Sequence, residues 1–183
     1  MDKAIFLEGK NVYLRPLDMD DLETFYVWFN NPDLRQYLML PFPISKEGEK
    51  DFLEKMMKDE GSVTLSIIVK KGDKLIGNIG LHNINTPVNR VSRRAMLGIA
   101  LGDLEEASKG YGTEAIRLML DYGFDSLNLH RIELGVFDFN ERARKAYRKL
   151  GFREEGVKRE AVYMKGEYHD IVLMGILRKE WKK

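Results

Sequence analysis

The chain has 183 residues, of which 44% are hydrophobic and 32% charged, and its 30 basic side chains almost balance the 29 acidic ones. This composition indicates one globular domain, and the balanced charge argues against a nucleic-acid-binding protein. The chain has no cysteine, which excludes disulfides, thiolate metal sites and a cysteine nucleophile, and its three scattered histidines show no metal-ligand spacing.

Neither a membrane span nor a secretory signal is expected. No apolar run approaches the roughly 18 residues that a membrane helix requires. The first ten residues, MDKAIFLEGK, are too short and too charged for a signal peptide. We therefore expect a cytoplasmic protein that does not bind a membrane.

The first third of the chain predicts a strand and two helices. Residues 11–17 alternate apolar and polar side chains, as a strand does. Asp18 is the predicted cap of a helix that ends before Pro32, and Ser45 opens a second helix. Acidic residues alternate with lysines along this second helix, which is typical of a solvent-exposed face. These acidic residues are Glu47, Glu49, Asp51 and Glu54.

A hairpin, a loop, a strand and a helix are predicted in the middle of the chain. Apolar strands flank residues 72–73, a Gly-Asp pair that suits a tight turn. A polar loop over 85–92 precedes a strand over 93–102. A helix with one apolar stripe is predicted over 113–127.

The last part of the chain predicts a strand, a helix and a second hairpin. A strand over 131–139 is followed by a helix that Asn140 caps and Gly151 ends. Two strands then flank the turn at residues 165–166. The element order, β-αα-βββ-α-β-α-ββ, predicts a single mixed α/β domain over residues 1–183.

The segment SKGYGTEA, residues 108–115, is a Gly-x-Gly turn directly before a helix. Gly110 and Gly112 permit close approach to the backbone, and a helix start offers unpaired N–H groups that suit a phosphate. A Walker loop would end in Gly-Lys-Ser/Thr, and a dinucleotide fingerprint would have a third glycine near Ala115, so neither describes this turn. Taken alone, the segment also fits an ordinary helix entry.

A second motif, NERARKAYRKLGF at residues 140–152, favours the phosphate interpretation. With the glycine turn, it resembles the Gcn5-related N-acetyltransferase (GNAT) superfamily, in particular its ribosomal-protein N-terminal and spermidine acetyltransferases. The resemblance extends along nearly the whole chain. It implies the GNAT fold, a mixed and mostly antiparallel sheet with helices on both faces, splayed between the fourth and fifth strands.

The resemblance also implies the activity and the acetyl-CoA site. An acetyl group would pass from acetyl-CoA to a primary amine by direct attack through a tetrahedral intermediate. The pyrophosphate would bind the glycine turn, and the pantetheine arm would pair with the preceding strand. The implied cofactor-binding residues are Ile99, Ala100, Leu101, Lys109, Gly110, Tyr111, Gly112, Thr113, Glu114, Asn140 and Tyr147.

Two features qualify this assignment. Ala107 stands where the family often has Gln or Arg, although main-chain donors do most of the holding. Gly98, Ala100 and Gly135 are small enough to leave room for the pantetheine arm, but ordinary tight packing explains them as well.

The reacting groups are only partly assigned. Tyr147 resembles the family tyrosine that protonates the leaving thiolate; a phenol titrates near roughly 10 and a thiol near roughly 8.5. Many relatives have a glutamate base in the pattern Ala-Glu-Leu-Gly, and Met96 takes its place here. Glu133 and His82 remain candidate bases. The third alternative is an acceptor amine of low pKa, such as a protein N-terminus, that needs no strong base.

The implied acceptor site lies between the first two helices and the C-terminal hairpin, around residues 30–58 and 163–170. Trp28, Phe29, Tyr37 and Phe42 could line an apolar pocket there. The expected partners are an amine, either a small molecule or a protein N-terminus, and further copies of the chain in a homodimer or larger homo-oligomer. A non-catalytic acyl-CoA sensor on the same fold is the competing hypothesis, which Met96 favours and Tyr147 opposes.

Overall fold

The computed structural model describes residues 4–181, and these residues form one eight-stranded sheet in the order β1-β2-β3-β4-β5-β6-β8-β7. Neighbouring strands are antiparallel except β5 and β6, which are parallel. The strands are β1 (Leu7–Glu8), β2 (Val12–Pro16), β3 (Val63–Val69), β4 (Lys74–His82), β5 (Arg94–Leu101), β6 (Arg131–Phe137), β7 (Arg153–Met164) and β8 (Glu167–Leu177).

Six α-helices lie among the described residues: α1 (Leu22–Asn30), α2 (Pro32–Arg35), α3 (Lys46–Lys58), α4 (Pro87–Ser92), α5 (Tyr111–Asp121) and α6 (Glu141–Lys149). Two predicted caps are present. The Ser45 hydroxyl accepts a hydrogen bond from the Gly48 amide at 3.0 Å, and the Asn140 side chain accepts one from the Ala143 amide at 3.2 Å. Gly151 ends α6 with φ of +95°, as a C-terminal glycine does.

The sequence analysis missed strand β1 and the short α-helices α2 and α4, and it misplaced one helix. The expected loop over 85–92 contains α4, because Thr86 caps it and Pro87 supplies its first residue. Strand β1 and helix α2 are too short to show a periodic pattern. The helix expected over 113–127 begins at Tyr111 and changes to a π-helical turn at Tyr122–Ser126.

The two faces of the sheet carry separate hydrophobic clusters. On one face, Leu97 of β5 packs with Ile116 and Met119 of α5, and α6 joins this cluster. On the other face, Ala100 packs with Trp28 and with apolar residues of α1 and α3. Helices α1 and α3 therefore cover one face and α5 and α6 the other, which confirms the predicted mixed α/β fold.

The parallel strands β5 and β6 pair over only three residues, from Arg94–Arg131 to Met96–Glu133. Beyond that point β5 stays paired with β4 as far as Leu101, and β6 stays paired with β8 as far as Phe137. The two strands therefore separate and leave a gap between them. The sequence analysis did not anticipate β1, so β5 and β6 are the fourth and fifth strands that it predicted. The predicted position of the splay is therefore confirmed.

A buried ion pair joins the start of α1 to the sheet. The carboxylate of Asp21 accepts two hydrogen bonds from the Arg15 guanidinium on β2, at 2.6 and 2.8 Å, and one from the Ser66 hydroxyl on β3 at 2.8 Å. All three residues are buried. This ion pair holds the N-terminal end of α1 against the sheet.

We expect Asp21→Asn to lower the free energy of unfolding by about 3–5 kcal/mol, because it leaves the Arg15 charge buried without its partner. Urea denaturation measures this. The control is Asp20→Asn, at an exposed neighbouring position. Equal stability of the two variants would contradict the structural role of the pair.

Candidate functional site

The gap between β5 and β6 opens into a cavity of about 1330 Å³. Residues from both sides of the sheet line it: Gly112, Thr113 and Ile116 of α5 on one side, and Phe25 of α1 and Leu53 of α3 on the other. Ligand cavities usually measure roughly 300–1,000 Å³. This cavity is therefore large enough to hold two reactants that meet in the gap.

The glycine turn presents free amide groups to this cavity. Gly110 has φ of +89°, a conformation that favours glycine, and it precedes the first residue of α5. In the first hydrogen bond of the helix, the Glu114 amide donates to the Gly110 carbonyl at 3.0 Å. The amides of Tyr111, Gly112 and Thr113 therefore have no helical acceptor and suit an anion.

Two of the residues implied by the family resemblance have other interactions. Both carboxylate oxygens of Glu114 bind Asn11, one at the backbone amide (2.8 Å) and one at the side chain (2.9 Å). Burial raises the pKa of Glu114, but the hydrogen bonds from Asn11 and Val12 outweigh burial and lower it overall. The Lys109 ammonium pairs with Glu106 at 2.8 Å. Neither Glu114 nor Lys109 lines the cavity.

The open edge of β5 also presents main-chain groups to the gap. The Arg93 carbonyl, just before the strand, accepts a bond from the His130 amide on the β6 side, whereas the Gly102 amide, just after it, donates to Ile76 on β4. Main-chain groups of successive strand residues point to opposite sides. Ile99 and Leu101 therefore face the gap, whereas the main chain of Ala100 faces β4. All three residues line the cavity.

Tyr147 and Asn140 of the second motif both line the cavity. Tyr147 is 9% exposed and packs edge-on against Phe152, and its hydroxyl forms no hydrogen bond to any described residue between 4 and 181. Burial raises the pKa of Tyr147 to about 12. The hydroxyl is therefore protonated at neutral pH and free to donate to a ligand.

His82, one candidate base, lies on the cavity wall across β4 and β5. Its ring lies over two glycines. A Cβ atom added to Gly80 would lie 2.8 Å from the His82 Nε2, and one added to Gly98 would lie 3.2 Å from the same atom. Burial lowers the pKa of His82, against an opposing contribution from Asp59. The imidazole is therefore neutral near pH 7 and can accept a proton.

Glu133, the other candidate base, also lines the cavity but is already paired. Its carboxylate accepts a hydrogen bond from the Arg131 Nε at 2.8 Å, and the other end of that guanidinium binds Glu155. Met96, which replaces the usual carboxylate, lies directly between His82 on β4 and Glu133 on β6, with 42% of its surface exposed.

The sequence analysis missed Glu49 of α3, which lines the cavity and is only 1% exposed. Burial alone raises the pKa of Glu49 to about 7. The expectation of a solvent-exposed acidic face holds for Glu47 and Glu54, which pair with lysines, but is wrong for Glu49. Its spacing of four residues from the buried Leu53 is the signal that could have revealed it.

The aromatic residues proposed for an apolar pocket divide into two pairs. Phe29 and Tyr37 line the cavity, whereas Trp28 packs against Gly102 and Phe42 is 78% exposed. The tip of the β7–β8 hairpin, residues 163–170, does not contribute to the lining. More central parts of these strands do, through Lys158 and Ile171.

Two negative findings concern the described residues 4–181. No cluster of three or more histidine, aspartate and glutamate side chains suitable for a metal ion occurs there. No helix in this range is both long and apolar enough to cross a membrane. The cytoplasmic location and the oligomeric state stay predictions from the sequence.

Comparisons with known proteins agree with this geometry. The family model for the acetyltransferase (GNAT) domain matches residues 11–153. The Probable N-acetyltransferase YjcK of Bacillus subtilis is 33% identical over 182 residues, covering 95% of this chain and 98% of that protein. Spermidine N(1)-acetyltransferase of Escherichia coli is 33% identical over 172 residues, covering 93% and 88%.

Solved structures show the same likeness. Spermidine N-acetyltransferase from Vibrio cholerae, crystallised in complex with CoA and spermine, superimposes with a TM-score of 0.84 at 29% identity, and the match covers 94% of this chain and 98% of that one. The agreement in fold therefore extends over almost the whole chain.

The buried carboxyl group predicts a pH-dependent stability. The pKa of Glu49 is about 7 when folded against 4.5 ordinarily, so the folded state holds this proton more tightly and loses stability as pH rises between these values. Relative to Glu49→Gln, the wild type should lose roughly 2.5 kcal/mol of unfolding free energy between about pH 5 and pH 8. Urea denaturation at both pH values measures this difference, and a difference that does not change with pH would contradict the burial of Glu49.

Proposed function

The chain belongs to the GNAT family of acetyltransferases and uses acetyl-CoA as its acetyl donor, and on this premise we propose that it acetylates a small primary amine bound in the cavity. One observation carries the proposal: the gap in the sheet joins an anion-binding helix terminus on one face to a largely apolar pocket on the other. A donor and an acceptor bound from opposite faces would meet in this gap.

The residues at the gap fit acetyl-CoA. The free amides of residues 111–113 suit its pyrophosphate, and the main-chain groups of Ile99 and Leu101 suit its amide-containing arm. When bound, acetyl-CoA supplies an acetyl thioester as the electrophile. The protein must then keep the amine neutral, position it and stabilise the leaving sulfur.

His82 is the residue that takes the proton from the amine. A primary aliphatic amine titrates near roughly 10.4 and is almost fully charged at pH 7. The His82 imidazole is neutral, lines the cavity and covers Gly98 beside the open edge of β5. Glu133 is less suited to this role because its carboxylate already binds Arg131.

Tyr147 stabilises the leaving sulfur. Because its pKa of about 12 exceeds that of a free thiol by roughly 3.5 units, complete proton transfer from the phenol would cost roughly 5 kcal/mol. Hydrogen-bond donation to the developing thiolate has no such cost and is the main contribution of the hydroxyl. Counted from the ammonium form, the nitrogen loses two protons: His82 takes one before the attack, and the second leaves the attacking nitrogen while the thiolate gains one.

A protein N-terminus is the second candidate acceptor. Met96 in place of the usual carboxylate favours it, because an α-amine titrates near roughly 8 and is easier to deprotonate. A thiol-release assay with spermidine, a monoamine, an amino sugar and a short peptide distinguishes the two. Tight CoA binding without turnover on any amine would instead support the non-catalytic acyl-CoA sensor.

For the donor site we expect Gly110→Val to weaken CoA binding at least about tenfold, since a branched side chain resists the required φ and disturbs the free amides. Calorimetry measures the affinity. Gly72→Val is a matched control, because Gly72 has a similar φ of +83° at the tip of a hairpin and does not line the cavity. Equal CoA affinity in the two variants would contradict the assigned pyrophosphate site.

For the leaving group we expect Tyr147→Phe to reduce kcat by roughly 10²-fold with little change in CoA affinity, because only the hydroxyl is removed. Steady-state kinetics with the best acceptor of the panel measures this. An unchanged kcat would show that the hydroxyl has no role in the step that limits turnover.

For the base we expect a rising limb in the pH profile of kcat/KM, with an apparent pKa at or below the ordinary histidine value of roughly 6.5. This limb should disappear in His82→Gln. The control is Glu133→Gln, which should keep the limb. A limb that instead moves with the pKa of the acceptor would show that the amine loses its proton without His82.

A further inference from the structure

Glu49 is the buried carboxyl group in the wall of the cavity that the chemistry above does not use. It lies on α3, one turn before Leu53 and two turns before Met56, and all three residues belong to the side of the helix that lines the cavity. A charged side chain at such a position costs stability unless it has a partner. Among residues 4–181 its side chain has no hydrogen bond or ion pair.

Several charged groups on the elements around Glu49 are held by partners of their own. Beside α3, the Asp21 carboxylate is held by Arg15 of β2. On α1, Glu23 pairs with Lys46 at the surface. On α3 itself, Lys50 pairs with Glu47 and Lys58 with Glu54.

Five titratable groups on the sheet also line the cavity, namely His82, Arg131, Glu133, Glu155 and Lys158, and Arg142 of α6 lines it as well. Glu133 is held by Arg131. The His82 imidazole is neutral near pH 7. No charged group contributes to the pKa shift of Glu49, which burial alone causes. No cation of the described chain therefore neutralises Glu49, and its natural partner is a cation that enters the cavity.

The surroundings of Glu49 define the shape of such a cation. Apolar side chains of α1, α3 and the segment between them line the same cavity, namely Phe25, Phe29, Leu34, Leu38, Phe52 and Met56. These surfaces suit a chain of methylene groups. The amine that attacks the thioester must be neutral, so the cation at Glu49 is a different group of the same molecule.

Resting on the function proposed above, we propose that Glu49 is a specificity-determining residue that binds a second, protonated amino group of the acceptor. The acceptor class is then an aliphatic diamine or polyamine, in which an apolar chain separates the bound ammonium from the amine that is acetylated. Glu49 selects among amines and takes no part in the chemical step.

The test compares hexamethylenediamine with hexylamine, which differ only in the second amino group. We expect Glu49→Gln to lower the ratio of kcat/KM for the diamine to that for hexylamine at least about 30-fold, the effect of removing one partner of a buried charge pair. Glu47→Gln, on the exposed face of the same helix, is the control and should keep the wild-type ratio. Glu49→Met, which is apolar and of similar volume, should lower the ratio as well.

Other outcomes overturn the proposal. An unchanged ratio in Glu49→Gln with lower activity on both amines would place Glu49 at the reacting amine, and an unchanged ratio with unchanged activity would remove it from the acceptor site. If the wild type acetylates neither amine, the wider amine panel decides whether the small-amine function fails, and calorimetry on the CoA complex tests Glu49 directly. Hexamethylenediamine must bind the wild type more tightly than Glu49→Gln, and equal affinities would contradict the proposal.

Discussion

The separation of β5 from β6 after three residue pairs is the constraint on which the site depends. Buried main-chain groups that lack a partner are costly, so a sheet normally closes such a gap. Here β5 is paired with β4 and β6 is paired with β8, so the two strands cannot move together to pair with each other. The edge at Ile99 and Leu101 is left for a ligand, and the cavity reaches from one face of the sheet to the other.

The two sides of this gap differ in chemistry. On the α5 side the binding groups are mostly main-chain amides, which explains why Glu114 and Lys109 can serve other interactions without loss to the site. On the α3 side the wall is apolar and holds one uncompensated carboxyl group, Glu49. The first arrangement suits a donor with a fixed diphosphate group, and the second discriminates among acceptors.

The sequence was sufficient for the features that depend on local pattern. The Gly110 turn and the Asn140 cap follow from short motifs, the position of the splay follows from the family resemblance that those motifs support, and the structure contains all three. The role of Glu114 could not be predicted in this way, and Glu49 was overlooked although its spacing from Leu53 places it on the buried side of α3. Glu114 meets Asn11 across 103 residues of sequence, and Glu49 sits among alternating charges that conceal the buried stripe of α3.

Hydrogen exchange at the edge of β5 tests the central claim most directly. The amides of Ile99 and Leu101 should exchange rapidly in the free protein and slow at least about tenfold when CoA binds, whereas the amide of Ala100, which faces β4, should be protected in both states. Equal protection of Ile99, Ala100 and Leu101 in the free protein would contradict the open strand edge and the site built on it.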